Sequence, residues 1–446
     1  MREPRQWRLT KNLEGGIVSL GLAMTQHPIE KLMAQFALFA ENTFRSPRAT
    51  RFDPGKILTA IGIFLKFNSS LYSAQPLEDA FSKHFGSKSL FGPAMTDGEY
   101  PVTTRVAVTS ATNFGQTPCI ISNYNYPNLV NAGRQEDLDL DMTVSQAARA
   151  TSAAPWYLPP FIKNKVDYWD GAVSANCPAR TAYLETQKLW PGDSAPIDML
   201  LSIGTGTQNG EKPPRTNRNS TPGAWGFLAT AKNMLERQVD SKEGWNEFRN
   251  VSSPTTIRDR LHRLDPPLGT DKKIELDDYK KIDDMIEAVE QHLGPGGPGR
   301  GDLLSIANRL IANVFFFERK EVKENVEYKI VDGYIKCRFE HGNLAVRKLL
   351  QKVTGFFYTA SFQNIQDGGN AVGVVWSRIE EGQPVTVMTH GVEVVRIPHT
   401  MREPIGGGRQ HLIAVEFKGF EGKIPISGFP CTLPDLIHRS SQKWLQ

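Results

Sequence analysis

One stretch constrains the fold of this chain more than any other: Ala147 to Ala179, AARATSAAPWYLPPFIKNKVDYWDGAVSANCPA. Its first residues are small, so a helix over 143–153 can pack close beneath a sheet. Pro155 ends that helix, because proline brings no N–H and its ring clashes with the preceding turn. Beyond the proline bend, Tyr168-Trp169 read as the end of a short apolar strand and Gly171 permits a sharp reversal. Asn176 and Pro178 then open the next helix. Asp-Gly alone is a common turn dipeptide; this context makes Asp170-Gly171-Ala172 a candidate functional turn.

The surrounding pattern places the turn in a mixed fold. Ile17, Leu20, Gly21 and Met24 repeat at helical spacing over 16–24. Pro28 then opens a second helix to 44, with an apolar stripe of Ile29, Leu32, Met33, Phe36, Phe39 and Ala40. VTTRVAVT at 102–109 reads as a buried strand, with Cys119 to Ser122 as its neighbour. DMLLSIGTG at 198–206 reads as a wholly buried strand of parallel type running into a glycine turn. Helices are expected over 223–239, 276–292 and 303–317. Strands separated by helices imply an α/β layer architecture.

GPGGPGRG at 294–301 lacks any periodic pattern and reads as a linker or long turn. Beyond it, β segments over 326–339 meet at Asp332-Gly333, a hairpin signal. Others recur near 356–363, 371–377, 385–397 and 411–418. The expected organisation is residues 1–14 apart from the fold, a first domain over 15–293 and the linker at 294–301. A helix and hairpin extension follows over 302–355, then a β-rich domain over 356–446.

The 147–206 block resembles the acid half of a patatin-like lipid acyl hydrolase. LLSIGTG at 200–206, LHRLDPP at 261–267 and the 315–350 block resemble later segments of fungal members, so the likeness covers roughly 15 to 350. The resemblance implies a patatin-like three-layer sandwich and a serine–aspartate dyad in which Asp170 is the proton acceptor of the DGA motif Asp170, Gly171, Ala172. It also implies lipid or phospholipid as substrate at a membrane surface, with no cofactor and no metal.

The nucleophile elbow that the family builds as GxSxG is represented only by Gly15 and Gly16. Aligning Gly15 with its last glycine puts Leu13 at the serine position and Lys11 at the first glycine. Leucine carries no nucleophile. No serine in the chain has glycines two positions to either side; Ser19 lies past the elbow on a helix, and Ser110, Ser152 and Ser202 lie on expected strands or helices. The glycine-rich oxyanion loop is absent upstream, and Gly406-Gly407-Gly408-Arg409 follows the acid, as a loop between strands.

Two expectations follow. The natural polypeptide is longer, its sheet being incomplete at the N-terminal edge, with residues 1–14 foreign to the fold. The chain as it stands is inactive as a hydrolase, the alternative being a non-catalytic relative that binds lipid or protein. Trp156 to Pro160 read equally as core packing or as an apolar lip over a lipid cleft.

Composition narrows the remaining classes. A net charge of +4 on 446 residues tolerates an anionic membrane surface but lacks the basic face that nucleic-acid binding needs, so no nucleic-acid partner is expected. Cys119, Cys177, Cys337 and Cys431 show no metal spacing, the histidines form no HExxH, and no calcium loop is present. Without a signal sequence or a span-length apolar run, a cytoplasmic protein with peripheral membrane contact is expected.

Overall fold

A computed structural model describes residues 13–25, 27–45, 70–91, 104–113, 115–124, 141–155, 157–174, 177–189, 197–207, 241–269, 274–338, 348–361, 377–379, 385–389, 392–420 and 422–441. The expected helix at 223–239, Lys11, Trp156 and Asn176 lie outside them.

Helix α1 (Leu13–Met24) buries Ile17, Leu20 and Met24 at 8%, 0% and 1% exposure, the face that the spacing predicts. Each such side chain contributes roughly 2 kcal/mol of gross hydrophobic stabilisation. Helix α2 (Ile29–Phe44) departs from expectation: Leu32, Phe39 and Thr43 are buried, whereas Ile29 and Met33 stand 42% and 50% exposed. The reason is what it packs on. It leans on α1, where Leu32 sits against Gly21, and on α3 (Gln75–Phe85), where Phe39 meets Phe81 edge-on at 5.2 Å. Two helix neighbours cover a narrower stripe than a sheet would.

The first sheet contains β1 (Ala107–Thr112), β2 (Thr117–Ser122), β3 (Phe161–Lys163) and β4 (Val166–Asp170), in the order β2-β1-β4-β3, with every pair antiparallel. The strand expected at 102–109 begins instead at Ala107 and continues to Thr112. Its limits come from the β1–β2 hairpin, whose turn uses Asn113 and Gly115 at positive φ. Helix α4 (Val144–Thr151) and α1 pack against this sheet, with α5 (Ala179–Leu189) following β4.

Strands β5 (Leu200–Ile203) and β6 (Leu261–Leu264) pair in parallel, the one parallel pair among the described residues. Rather than wholly buried, β5 is half-buried, with Ile203 54% exposed, because a two-stranded sheet leaves a face uncovered. Between them lies α6 (Ser241–Glu247), which places Trp245 beside Leu261 in a small apolar cluster.

Helices α7 (Ile282–Leu293) and α8 (Arg300–Ala312) are joined by a hydrogen-bonded turn at 294–299, in which Gly299 N–H donates to His292 O at 3.0 Å. The helix expected to reach Phe317 therefore stops at Ala312. Phe315 and Phe317 instead start β7 (Phe315–Glu324), both facing inward, opposite Cys337 and Ile335 of β8 (Tyr328–Cys337). Nor does the chain turn at Asp332-Gly333. β8 runs straight through, and the hairpin turns at Asn325, whose Oδ1 accepts the N–H groups of Glu327 and Tyr328 at 3.0 and 2.7 Å. Gly333 is small for a different reason: a Cβ there would come within 2.4 Å of Glu318 O.

The remaining strands are β9 (Val353–Ser361), β10 (Ser377–Arg378), β11 (Val385–Thr389), β12 (Val392–Pro404), β13 (Gln410–Phe417) and β14 (Ile424–Pro425). They complete two antiparallel sheets, β11-β12-β8-β7 and β10-β9-β13-β14. Phe317, Val331, Ile335 and Met401 of one share a core with Phe356, Ile413 and Val415 of the other, closed by α9 (Leu433–Ser441). This apolar cluster is separate from the one formed by α1, α3, α4 and the first sheet. Asp198, just before β5, links the β5–β6 pair to this sandwich: its carboxylate accepts Ser427 Oγ–H at 2.6 Å and Gly428 N–H at 2.7 Å.

Candidate active site

The acid turn is assembled from α4, β1 and β4. Thr143 and Gln146 form a capping box, each side chain satisfying the other's main-chain N–H, so α4 starts at a defined point. Ala147, Ala148 and Ala150 are fully buried, which lets the helix approach the sheet closely. The proline bend is fixed by Arg149, whose Nε pairs with Glu78 at 3.0 Å and whose Nη2 donates to Pro159 O at 2.6 Å. Burial pulls this guanidinium below its ordinary pKa, with Glu78 opposing the shift. Tyr157 and Leu158 belong to the apolar core, so for these two residues packing is the observed role.

At the far end of the bend, Ala153 O accepts the Asp170 N–H at 3.0 Å, and Asp170 Oδ1 accepts the Ala172 N–H at 2.7 Å. The chain then turns through one 3-10 turn at Gly171–Val173. Asp170 is 1% exposed. Glycine is required at 171 because a Cβ would lie 2.2 Å from Thr109 Oγ1 and 2.4 Å from Thr109 O.

Gly15 and Gly16 form part of the first turn of α1. Gly16 faces Thr151, to whose Cγ2 a Cβ at 16 would come within 2.9 Å, and Thr151 Oγ1 donates to Thr109 O at 2.7 Å. A continuous set of contacts thus runs from the start of α1 through Thr151 and Thr109 to Gly171. Gly16 and Gly171, 155 positions apart in sequence, are joined through two threonine side chains.

The serines take different positions. Ser19 is buried on α1 at 4% exposure, and Ser152 donates back to Ala148 O at 2.8 Å within α4. Ser202 accepts from Arg263 Nη1 at 2.9 Å. Ser110 lies on a strand, as expected, directly opposite Asp170 in the β1–β4 register. Its hydroxyl is committed to Trp169 O at 2.6 Å and is fully buried, which is the geometry of a sheet-stabilising serine. Antiparallel pairing between strands far apart in sequence leaves no local signal.

Gly406 to Gly408 form the expected loop between strands, joining β12 to β13, with Arg409 N–H donating to Glu403 Oε1 at 2.6 Å. Arg263 gathers a polar group behind the β5–β6 pair: it binds Asp265 at 2.6 Å and Ser241 at 2.7 Å, while Asp265 Oδ1 accepts the Gly206 N–H at 3.0 Å.

The family profile of patatin-like phospholipases matches residues 15–183, which encloses Gly15, Gly16 and the Asp170 turn. A domain of unknown function matches residues 330–441, most of the C-terminal sandwich. Phospholipase A I of Arabidopsis thaliana is 41% identical over 93 residues, covering 21% of this chain and 6% of that protein. Calcium-independent phospholipase A2-gamma is 24% identical over 272 residues in Homo sapiens, covering 61% of this chain and 32% of the relative. In Oryctolagus cuniculus it is 23% identical over 222 residues, 50% of this chain and 26% of the relative. The chain thus spans about a third or less of the length of these curated relatives.

Proposed function

From the match of residues 15–183 to the patatin-like phospholipase family we propose a domain laid out for lipid acyl ester hydrolysis, with Asp170 as the base of a serine–aspartate dyad. The observation that carries this reading is the setting of Asp170. It is 1% exposed at the end of β4, its Oδ1 is held by the Ala172 N–H, and the start of α1 is one side-chain layer away. A carboxylate so fixed accepts a hydroxyl proton as the oxygen attacks an ester carbonyl, and its rigidity replaces the histidine of a triad.

The substrate class is phospholipid or neutral lipid, met at a membrane surface from the cytoplasm. Ile29, Met33 and Leu38, between 42% and 54% exposed on α2, support peripheral contact. The reading extends to what this chain does alone. Leu13 occupies the serine position and Lys11 that of the first elbow glycine, and no other serine sits in a glycine elbow. On this reading the 446-residue chain carries the acid without the serine and does not turn over an ester by itself, its lipid contact being made through the exposed face of α2.

Two measurements on the purified chain test the reading. With a chromogenic acyl ester, turnover should not exceed that of Asp170→Asn; turnover that this substitution abolishes would overturn the inactive reading. In vesicle flotation with phosphatidylcholine the chain should rise with the lipid. Failure to do so would remove the lipid-binding part.

A further inference from the structure

A second cluster of ionisable side chains lies in the C-terminal sandwich, on strands far from Asp170 in the sequence. It begins with Glu403, buried at 2% exposure, whose Oε2 lies 3.3 Å from His411 Nε2. On the other side of that fully buried ring, Nδ1 is 2.8 Å from the Tyr358 hydroxyl. A carboxylate only accepts, so Nε2 carries the hydrogen, Nδ1 accepts, and the phenol donates. This leaves the lone pairs of the Tyr358 oxygen pointing away from the relay. Burial and the nearby Glu403 push the phenol up to about 12, so it stays protonated.

Beside Tyr358 a cavity of about 300 Å³ opens between β10 and β12. Tyr358, His399 and Ile379 line its inner part, and Ser377 and Arg378 its exposed rim. The His399 ring is held 4.7 Å from Tyr358 and 6.5 Å from Phe317. Its Nε2 is buried with no hydrogen-bond partner. At the rim, Arg378 spends one N–H on Thr354 O at 2.8 Å and keeps further donors.

From this geometry we infer that the cavity is a binding site for a small monocarboxylate, held by Arg378 at the rim and by His399 Nε2–H within, its apolar part lying against Ile379 and the Tyr358 ring. The lining argues against a metal ion, because it supplies a single imidazole, no carboxylate and a guanidinium. It argues against a phosphate dianion as well, since one cation matches a single charge, and Ile379, Pro398 and the Tyr358 ring leave a short apolar surface for a hydrocarbon tail. The volume is at the lower end for ligand sites, enough for a chain of about ten heavy atoms. Carboxylic acids are also what ester hydrolysis releases, yet the inference stands on the cavity alone and does not rest on the hydrolase reading.

The test uses the full chain with octanoate as probe, followed by titration calorimetry and by NMR of labelled histidine. Saturable binding at one site is expected, with the His399 resonance moving and its titration shifting upward as a carboxylate settles beside it. Arg378→Ala, a rim substitution that should leave the melting temperature unchanged, and His399→Gln should each weaken binding at least tenfold. Octanol, of equal length but neutral, should bind at least tenfold more weakly than octanoate. The inference is overturned by absence of saturable binding at millimolar octanoate, or by binding that both variants retain undiminished.

Discussion

A methyl group added at Gly171 would lie within 2.4 Å of Thr109 O, a main-chain atom in the middle of β1, between β2 and β4. Nothing flexible can move aside, so Gly171→Ala should destabilise the chain by about 3 kcal/mol, read as a lower urea midpoint. The same substitution at Gly406 meets nothing within 4 Å and strains only a positive φ of 76°. It should cost about 1 kcal/mol. A further residue-scale prediction concerns His399, whose pKa burial and His411 lower to about 4 from 6.5. The folded form holds the ring neutral while the unfolded chain protonates it first. Its contribution to stability is therefore full above about pH 6.5 and is lost as pH falls toward about 4. Measured by urea unfolding, wild type should lose more stability than His399→Gln between about pH 7 and about pH 4.5; equal losses would contradict the assignment. Of these residues, Asp170 and Gly171 were legible in the sequence because a strand, a turn and a helix follow one another locally. His399 and Tyr358 were not, since nothing local links position 358 to 399 or 411.

Among elements, α4 owes its start to the Thr143–Gln146 capping box. Thr143→Ala should lower stability by about 1 kcal/mol, and because Ala153 O, just past this helix, accepts the Asp170 N–H, hydrogen exchange at Asp170 should quicken with it. Unchanged exchange would show that the helix and the acid turn are uncoupled. The helices at α1, α2 and α4 were readable from apolar spacing and from Pro155, which act within a few residues. Two misreadings show the limit. Ile311 to Phe317 is an apolar run that suits either helix or strand, and the choice fell to β8, which pairs with Phe315 to Phe317. Asp332-Gly333 has turn chemistry, yet the glycine serves the close approach of Glu318 and Phe317, while Asn325 makes the turn.

At the scale of the whole molecule, the first-sheet region and the C-terminal sandwich have separate apolar cores, and Asp198, just before β5, ties the β5–β6 pair to the sandwich through Ser427 and Gly428. Arg338 also donates to Ser427 Oγ, and Arg309 Nη2 to Asp198 O at 3.3 Å, so removing the carboxylate disturbs a joined network. Asp198→Ala should cost about 2 kcal/mol and broaden or split the calorimetric transition as the β5–β6 pair and the sandwich melt apart. A single sharp transition at the wild-type temperature would refute the tie. The sequence by itself determined the family likeness, the Asp170-Gly171 turn and the helices that flank it, because each is written in contiguous residues. Tertiary structure alone decided that the sheet beside Asp170 is antiparallel, that Ser110 faces the acid but is spent on Trp169 O, and that the start of α1 reaches the acid turn through Thr151. It alone decided that His399 meets a cavity. Those outcomes depend on which strand pairs with which across long separations, and that choice is made by burial and hydrogen bonding in the assembled fold.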